Sequence, residues 1–241
     1  MTDTLAEHRA RWQSKQVLRA VYEDCYRRIV AHCAPAGRTL EIGGGTGNLK
    51  AFLAGILSTD IQFAPWLDLV ADAHRLPLAA ASIRNLVLFD VLHHLERPRL
   101  FLNEAARVLE PGGRVVCCEP AITPVSYPFY RFFHHEPVRL AEDPLATGGL
   151  SPARDPYESN QAIPTRLFGR DRARLEALLP ALKLLACEHF ALLAYPLSGG
   201  FQHWSALPAP LAAPLLRLER RIEHWLGPLM GFRLLAVLER R

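Results

Sequence analysis

The sequence predicts an α/β protein built on a mostly parallel sheet, and three observations carry that expectation. Short apolar runs of strand length alternate with amphipathic helical patterns along the chain. A glycine-rich loop, Gly43-Gly-Gly-Thr-Gly47, follows directly on the first such run, Arg38 to Ile42. The run Ile83 to Val91 (IRNLVLFDV) is apolar almost throughout, as a strand covered on both faces requires.

In chain order, residues Leu5 to Cys33 read as helical, with Leu18, Val21, Tyr22, Cys25, Ile29 and Val30 at helical spacing; Pro35 and Gly37 end the stretch. Strand candidates follow at Arg38–Ile42 and Ile56–Ile61, with a helix opening after Gly47 between them. After the long run at Ile83 come a helix from Arg99 to Leu109, stopped by Pro111-Gly112-Gly113, and a buried strand, Arg114 to Glu119. From Pro120 to Phe168 the character changes: eight prolines, among them Pro152, punctuate an aromatic and histidine-rich segment. Irregular chain of that length inside a domain predicts a lid or binding loop. A helix (Asp171–Leu179), a strand (Leu182–Leu193), a helix (Pro214–Leu229) and a last strand (Phe232–Glu239) complete the chain. The expected organisation is a helical cap over 1–35, a core over 36–120, a lid over 121–168 and the rest of the core over 169–241.

Composition narrows the class of partner. Half of the 241 residues are hydrophobic and 22% charged, which is globular rather than disordered. The net charge of +4 is scattered, with no basic stripe, so no nucleic-acid partner is expected. Five cysteines without a C-x-x-C pair fit a reducing cytoplasm and neither a disulfide framework nor a zinc ribbon. The first fifteen residues are charged throughout and carry no apolar signal region. Prolines and Gly199-Gly200 interrupt the longest uncharged stretch, His189 to Leu216, so it is not a spanning helix. A cytoplasmic location is expected.

The glycine loop is the most specific local signal. Glycine admits a left-handed backbone and lets a ligand approach without a Cβ in the way. The dinucleotide pattern G-x-G-x-x-G/A started at Gly43 would need Gly or Ala where Asn48 stands, and the P-loop's Gly-Lys-Ser/Thr is absent. What stands there is an acidic residue, Glu41, followed by Gly43, Gly45 and Gly47. Asp60 lies 19 residues after Glu41 at the end of a strand, where a carboxylate can accept two ribose hydroxyls. Val70 to Pro77 (VADAHRLP) and Arg107 to Val116 (RVLEPGGRVV) follow in order. On these segments the chain resembles the class I S-adenosylmethionine-dependent methyltransferases. The resemblance spans roughly residues 38 to 120 and extends to the terminal strands. It implies a Rossmann-like sheet of seven strands, mostly parallel, with an antiparallel terminal hairpin and an inserted lid. It implies S-adenosylmethionine as cofactor, held by Glu41, Gly43, Gly44, Gly45, Asp60, Asp72, Ala73 and Asp90, with Asp72 accepting from the adenine amino group and Asp68 as its competitor. Only nine residues separate Asp60 from Val70, so the helix usual between those strands is shortened or lost.

Methyl transfer to a hydroxyl is helped by a general base. Asp90-Val-Leu-His-His-Leu95 ends the fourth strand, which makes His93 and His94 candidates; Glu119 ends the fifth. In the lid, Phe132-Phe-His-His-Glu-Pro137 makes His134 and His135 candidates, beside Glu136. No metal is expected, because neighbours on an extended chain point apart. The lid aromatics Tyr127, Phe129, Tyr130, Phe132, Phe133 and Phe168 either wall an apolar pocket or form the lid's own core. The Pro214 helix carries Arg217, Arg220, Arg221 and His224 against an apolar stripe of Leu215, Leu218, Ile222, Trp225, Leu226 and Leu229. That stripe packs on the sheet, or meets an anionic membrane or a lipid-linked substrate. The expected activity is methylation of a small apolar or amphipathic acceptor, at oxygen first and at carbon as the alternative. A nucleotide-cofactor oxidoreductase and a non-catalytic cofactor-binding or membrane-associated scaffold are the other readings.

Overall fold

The computed structural model describes residues 4–151, 153 and 155–241, so Met1 to Asp3, Pro152 and Arg154 lie outside the described residues. Its centre is a seven-stranded sheet in the order β3-β2-β1-β4-β5-β7-β6. The strands are β1 (Thr39–Ile42), β2 (Leu57–Asp60), β3 (Leu69–Val70), β4 (Ile83–Phe89), β5 (Leu109–Pro120), β6 (Leu182–Phe190) and β7 (Arg233–Arg240). Neighbours from β3 to β5 run parallel, whereas β7 is antiparallel to both β5 and β6. This is the Rossmann-like methyltransferase arrangement, with the reversed last strand.

The two-residue period of the strands divides the apolar side chains between two cores. Leu86 and Leu88 of β4, Val115 and Cys117 of β5, and Leu234, Ala236 and Leu238 of β7 face one side. There α3 (Pro98–Val108) and α6 (Arg172–Leu178) cover them with Phe101, Leu102, Ala105 and Leu175. Val87, Val116, Cys118, Leu235 and Val237 face the other side, under α2 (Gln16–His32) with Leu18, Val21 and Ile29. Cys117 and Cys118 are therefore packing residues on opposite faces of β5.

Several elements differ from the sequence expectation. The N-terminal helix is two, α1 (Thr4–Ser14) and α2, with Lys15 between them in an extended conformation. The break lets Lys15 Nζ donate to the carbonyls of Gly200, Gln202 and Trp204 at 2.8, 2.9 and 2.7 Å. The helix expected after Gly47 is one 3-10 turn, Asn48–Ala51, because few residues remain before β2 and Gly55 turns the chain at φ +76°. No helix joins β2 to β3, in keeping with the short spacing. Pro111-Gly112-Gly113 lies within β5, which α3 enters directly, rather than between helix and strand.

The lid contains α4 (Ser126–Phe132) and is otherwise largely irregular up to α5 (Ile163–Thr165). Its C-terminal end is core: Ile163, Leu167 and Phe168 pack with the sheet's apolar side chains, and Leu145 joins them. The short α7 (Ala194–Ser198) starts where Leu192, Leu193 and Ala194 donate backbone N–H groups to Glu219. Glu219 belongs to α8 (Ala209–Met230), which begins five residues before the expected start. The apolar stripe of α8 packs on the sheet-side core only in part, through Leu215. Ala212, Glu219 and Gly227 face inward, while Leu218, Trp225 and Leu229 are 53%, 67% and 51% exposed. The helix lies too close to β6 for larger residues: a Cβ on Gly227 would stand 2.1 Å from the His189 carbonyl oxygen.

Candidate active site

A cavity of about 880 Å³ opens at the carboxyl ends of β1, β2 and β4, where open α/β sheets bind ligands. The glycine loop forms one wall. Gly43, Gly45 and Gly47 all hold left-handed backbone (φ +64°, +46° and +71°). Gly43 is pressed against Val91, where a Cβ would meet Cγ2 at 2.4 Å; a Cβ on Gly45 would have nothing nearer than 3.9 Å and would enter the cavity. Gly44 packs inward, its N–H donating to the Thr59 carbonyl at 2.7 Å. Trp66 Nε1 donates to the Gly45 carbonyl at 2.8 Å and braces the loop from outside.

Three carboxylates flank the loop. Asp60 accepts from the N–H groups of Gly45 and Gln62, both at 3.0 Å, which fixes it at the rim of the glycine turn. Glu41 is buried beneath the loop, accepts from Ser58 Oγ at 2.5 Å and is pushed up to about 7 by burial. Asp72 takes both the N–H and Nδ1 of His74 on one oxygen, and its other oxygen has no protein donor among the described residues. Asp68 is a strut instead. It accepts from Ser58 N and pairs with Lys50 (2.7 and 2.8 Å), and it does not line the cavity. Ala73 lines the wall beside Asp72. Asp90, strained at φ +57°, lies 2.6 Å from the guanidinium of Arg233, which is itself buried in β7.

A chain of ionisable groups also lines the cavity and links β4 and β5 to the 121–168 segment. Glu119, fully buried at the end of β5, accepts from Val91 N and Leu92 N and lies 2.6 Å from His93 Nδ1. His93 Nε2 is 3.3 Å from Glu136, and His94 Nε2 is 3.6 Å from the other oxygen of Glu136. Gln161 Nε2 donates to Glu136 at 2.5 Å and to His134 Nδ1 at 3.1 Å. His94 Nδ1 faces the Glu158 carbonyl at 3.3 Å. His135 stacks on His134 with ring centroids 4.7 Å apart and is 76% exposed. The two rings thus lie together rather than pointing apart.

These contacts set the charges. Burial opposes protonation of His93, but carboxylates on both ring nitrogens outweigh it and raise the group to about 10. Burial lowers His94 to about 4, helped by the charge on His93, and likewise lowers His134 to about 4. Burial alone would raise Glu136, yet the hydrogen bond and charge of His93 hold it well below the usual carboxylate range. At neutral pH His93 is a cation, while His94 and His134 are neutral.

The structure brings His93, His94, His134, His135 and Glu136 to one end of the cavity. It does not bring Glu119 there: that carboxylate is buried behind His93 and orients it, so it is not a base in contact with an acceptor. Sequence reasoning missed Gln161, Tyr195 and Arg233. Only Arg233 left a signal, a lone cation opening the apolar run FRLLAVLE. Tyr22, Phe129, Phe133, Tyr195, Phe201 and Trp204 supply aromatic wall to the same cavity.

The residues fit S-adenosylmethionine. The open cradle at Gly45, the fixed Asp60 and the half-satisfied Asp72 offer backbone clearance and acceptors, and the aromatic side chains lining the same cavity suit a sulfonium. A family model described as a methyltransferase domain matches residues 40–117. A demethylmenaquinone methyltransferase of Streptomyces avermitilis is 31% identical over 170 residues, covering 62% of this chain and 72% of that protein. The ubiquinone/menaquinone biosynthesis C-methyltransferase UbiE of Rubrivivax gelatinosus is 32% identical over 126 residues, covering 44% of this chain and 50% of that protein. This chain thus spans about half the length of the latter relative. A SAM-dependent methyltransferase from Archaeoglobus fulgidus superposes with a TM-score of 0.53 at 14% identity, over 92% of this chain and 93% of that one, a likeness of fold. The chain belongs to the class I S-adenosylmethionine-dependent methyltransferase family.

Proposed function

We propose that this protein methylates a small, largely apolar acceptor bearing an acidic hydroxyl, of quinol type, and that the new bond forms at carbon. The carrying observation is that one cavity is lined both by the glycine loop with its carboxylates and by the His93–His94–Glu136 cluster, together with aromatic side chains. The UbiE relatives, named as C-methyltransferases, favour carbon over the oxygen expected first from the sequence.

Asp60 and Asp72 would hold the ribose and adenine ends of the cofactor, with Gly43 to Gly45 beneath it. When bound, the cofactor supplies a methyl group already activated on a sulfonium, so holding the acceptor in line provides much of the rate. The chain's own work is then placement and proton removal. The aromatic walls and the lid exclude water and hold the acceptor's apolar body. His94 offers Nε2 as proton acceptor, since its Nδ1 faces the Glu158 carbonyl, and Glu136 stands beside it to stabilise the imidazolium. A weakly basic imidazole suffices for this task. Attack through carbon turns the acceptor's hydroxyl into a protonated carbonyl, a strong acid that gives up its proton readily. The hydrogen on the methylated ring carbon then leaves as a proton and the oxygen regains one, which restores the quinol. His93, kept charged by Glu119, holds Glu136 in place.

His94→Gln and Glu136→Gln test this division of labour. Each is expected to lower turnover about a hundredfold, with S-adenosylmethionine affinity by calorimetry unchanged. Normal turnover in both would reject the cluster as the proton acceptor.

A further inference from the structure

The outward face of α8 is apolar along one edge and basic along the next. Leu211, Pro214, Leu218, Trp225 and Leu229 recur at helical spacing and are exposed. They form a ridge about 27 Å long at 1.5 Å per residue. Arg217, Arg221 and His224 lie beside it, exposed, and neither arginine has an ion-pair partner among the described residues. The acidic residues of the helix are withdrawn from this face: Glu219 is buried under α7, and Glu223 pairs with Arg28 at 2.7 Å. Arg220 is engaged by Asp24, through Nε at 2.8 Å. What faces solvent is therefore a strip of large apolar groups flanked by unneutralised cations.

The strip continues towards the cavity. Val125 N donates to the Leu229 carbonyl at 3.1 Å, which joins the end of α8 to the start of α4. Val125, Phe132 and Phe133 are exposed there, and Phe133 also lines the cavity. No helix among the described residues is long and apolar enough to cross a membrane, so this surface could only lie on one.

We infer that α8, with the exposed apolar residues of α4, is a docking surface for an anionic lipid bilayer. The apolar ridge enters the headgroup boundary and Arg217 and Arg221 meet the lipid phosphates, with the helix lying in the membrane plane. The inference concerns where the protein sits and does not depend on the identity of its methyl acceptor.

Cosedimentation with vesicles tests it directly. The protein is expected to bind mixed phosphatidylcholine–phosphatidylglycerol vesicles, to bind phosphatidylcholine alone more weakly, and to be released by salt. The double variant Arg217→Gln/Arg221→Gln should bind the mixed vesicles about thirtyfold more weakly, at about a fivefold loss per cation. Trp225→Glu should lose binding to both vesicle types while retaining wild-type affinity for S-adenosylmethionine, which shows that it folds. Absence of binding to anionic vesicles, or variants that bind as wild type does, would overturn the inference. So would sedimentation equilibrium showing a dimer that Trp225→Glu dissociates, because the face would then belong to a second copy of the chain.

Discussion

Gly45 shows how a single backbone position serves the proposed cofactor site. Its left-handed φ of +46° and the open space where a Cβ would stand mean that Gly45→Val acts twice. The substitution strains the loop by about 1–2 kcal/mol and projects a branched side chain into the cavity. Cofactor affinity by calorimetry should fall about a hundredfold or more, equivalent to about 3 kcal/mol, with the fold retained by circular dichroism. Unchanged affinity would remove the loop from the site. His93 sets a second expectation at this scale. Its folded-state value, raised from 6.5 to about 10, means that its ion pairs stabilise the fold fully below pH 6.5 and lose that effect as pH rises towards 10. The melting temperature should therefore decline over that window. In His93→Gln the decline should flatten, and stability at neutral pH should drop by about 3 kcal/mol because Glu119 is left buried without its cation. A parallel pH profile in the variant would contradict this charge assignment.

Among elements, the junction of α1 and α2 controls one side of the cavity. Lys15 ties that junction to the 199–204 segment through three carbonyls, and Leu5, His8, Phe201 and Trp204 from the two sides line the cavity together. Lys15→Met should weaken the tie by about 1.5–3 kcal/mol and speed limited proteolysis within residues 199–206, a rate readable by mass spectrometry. The same contrast between local and distant contacts explains what was legible in the sequence. β1, the glycine turn, β4 and β5 were readable because each is contiguous and its two-residue period or glycine spacing is local. The split at Lys15 was not, since the carbonyls that cause it lie some 185 residues away. The outward turn of α8 was hidden because periodicity identifies an apolar stripe but not what covers it; Gly227 against His189 decides that. In the candidate site, His93, His94, His134 and Glu136 stood out as residue types in motifs. Their convergence, with Glu119 behind and Gln161 between, depends on how the lid folds back over β4 and β5, and no sequence spacing records it.

At the scale of the whole molecule, a mostly parallel sheet presents a glycine loop, the 121–168 segment brings imidazoles and a carboxylate to the same cavity, and aromatic side chains line the rest of its wall around about 880 Å³. That volume lies within the range of ligand pockets and suits an acceptor with an apolar body. The proposal that this cavity carries methyl transfer to carbon is tested by isotope labelling. The protein is incubated with S-adenosylmethionine carrying a carbon-13 methyl group and a reduced demethylnaphthoquinone, and the product is read by NMR. A labelled methyl on a ring carbon is expected, formed by the wild type and sharply reduced in Glu136→Gln. A label on oxygen, or no label in product from a protein that binds the cofactor, would contradict the proposal.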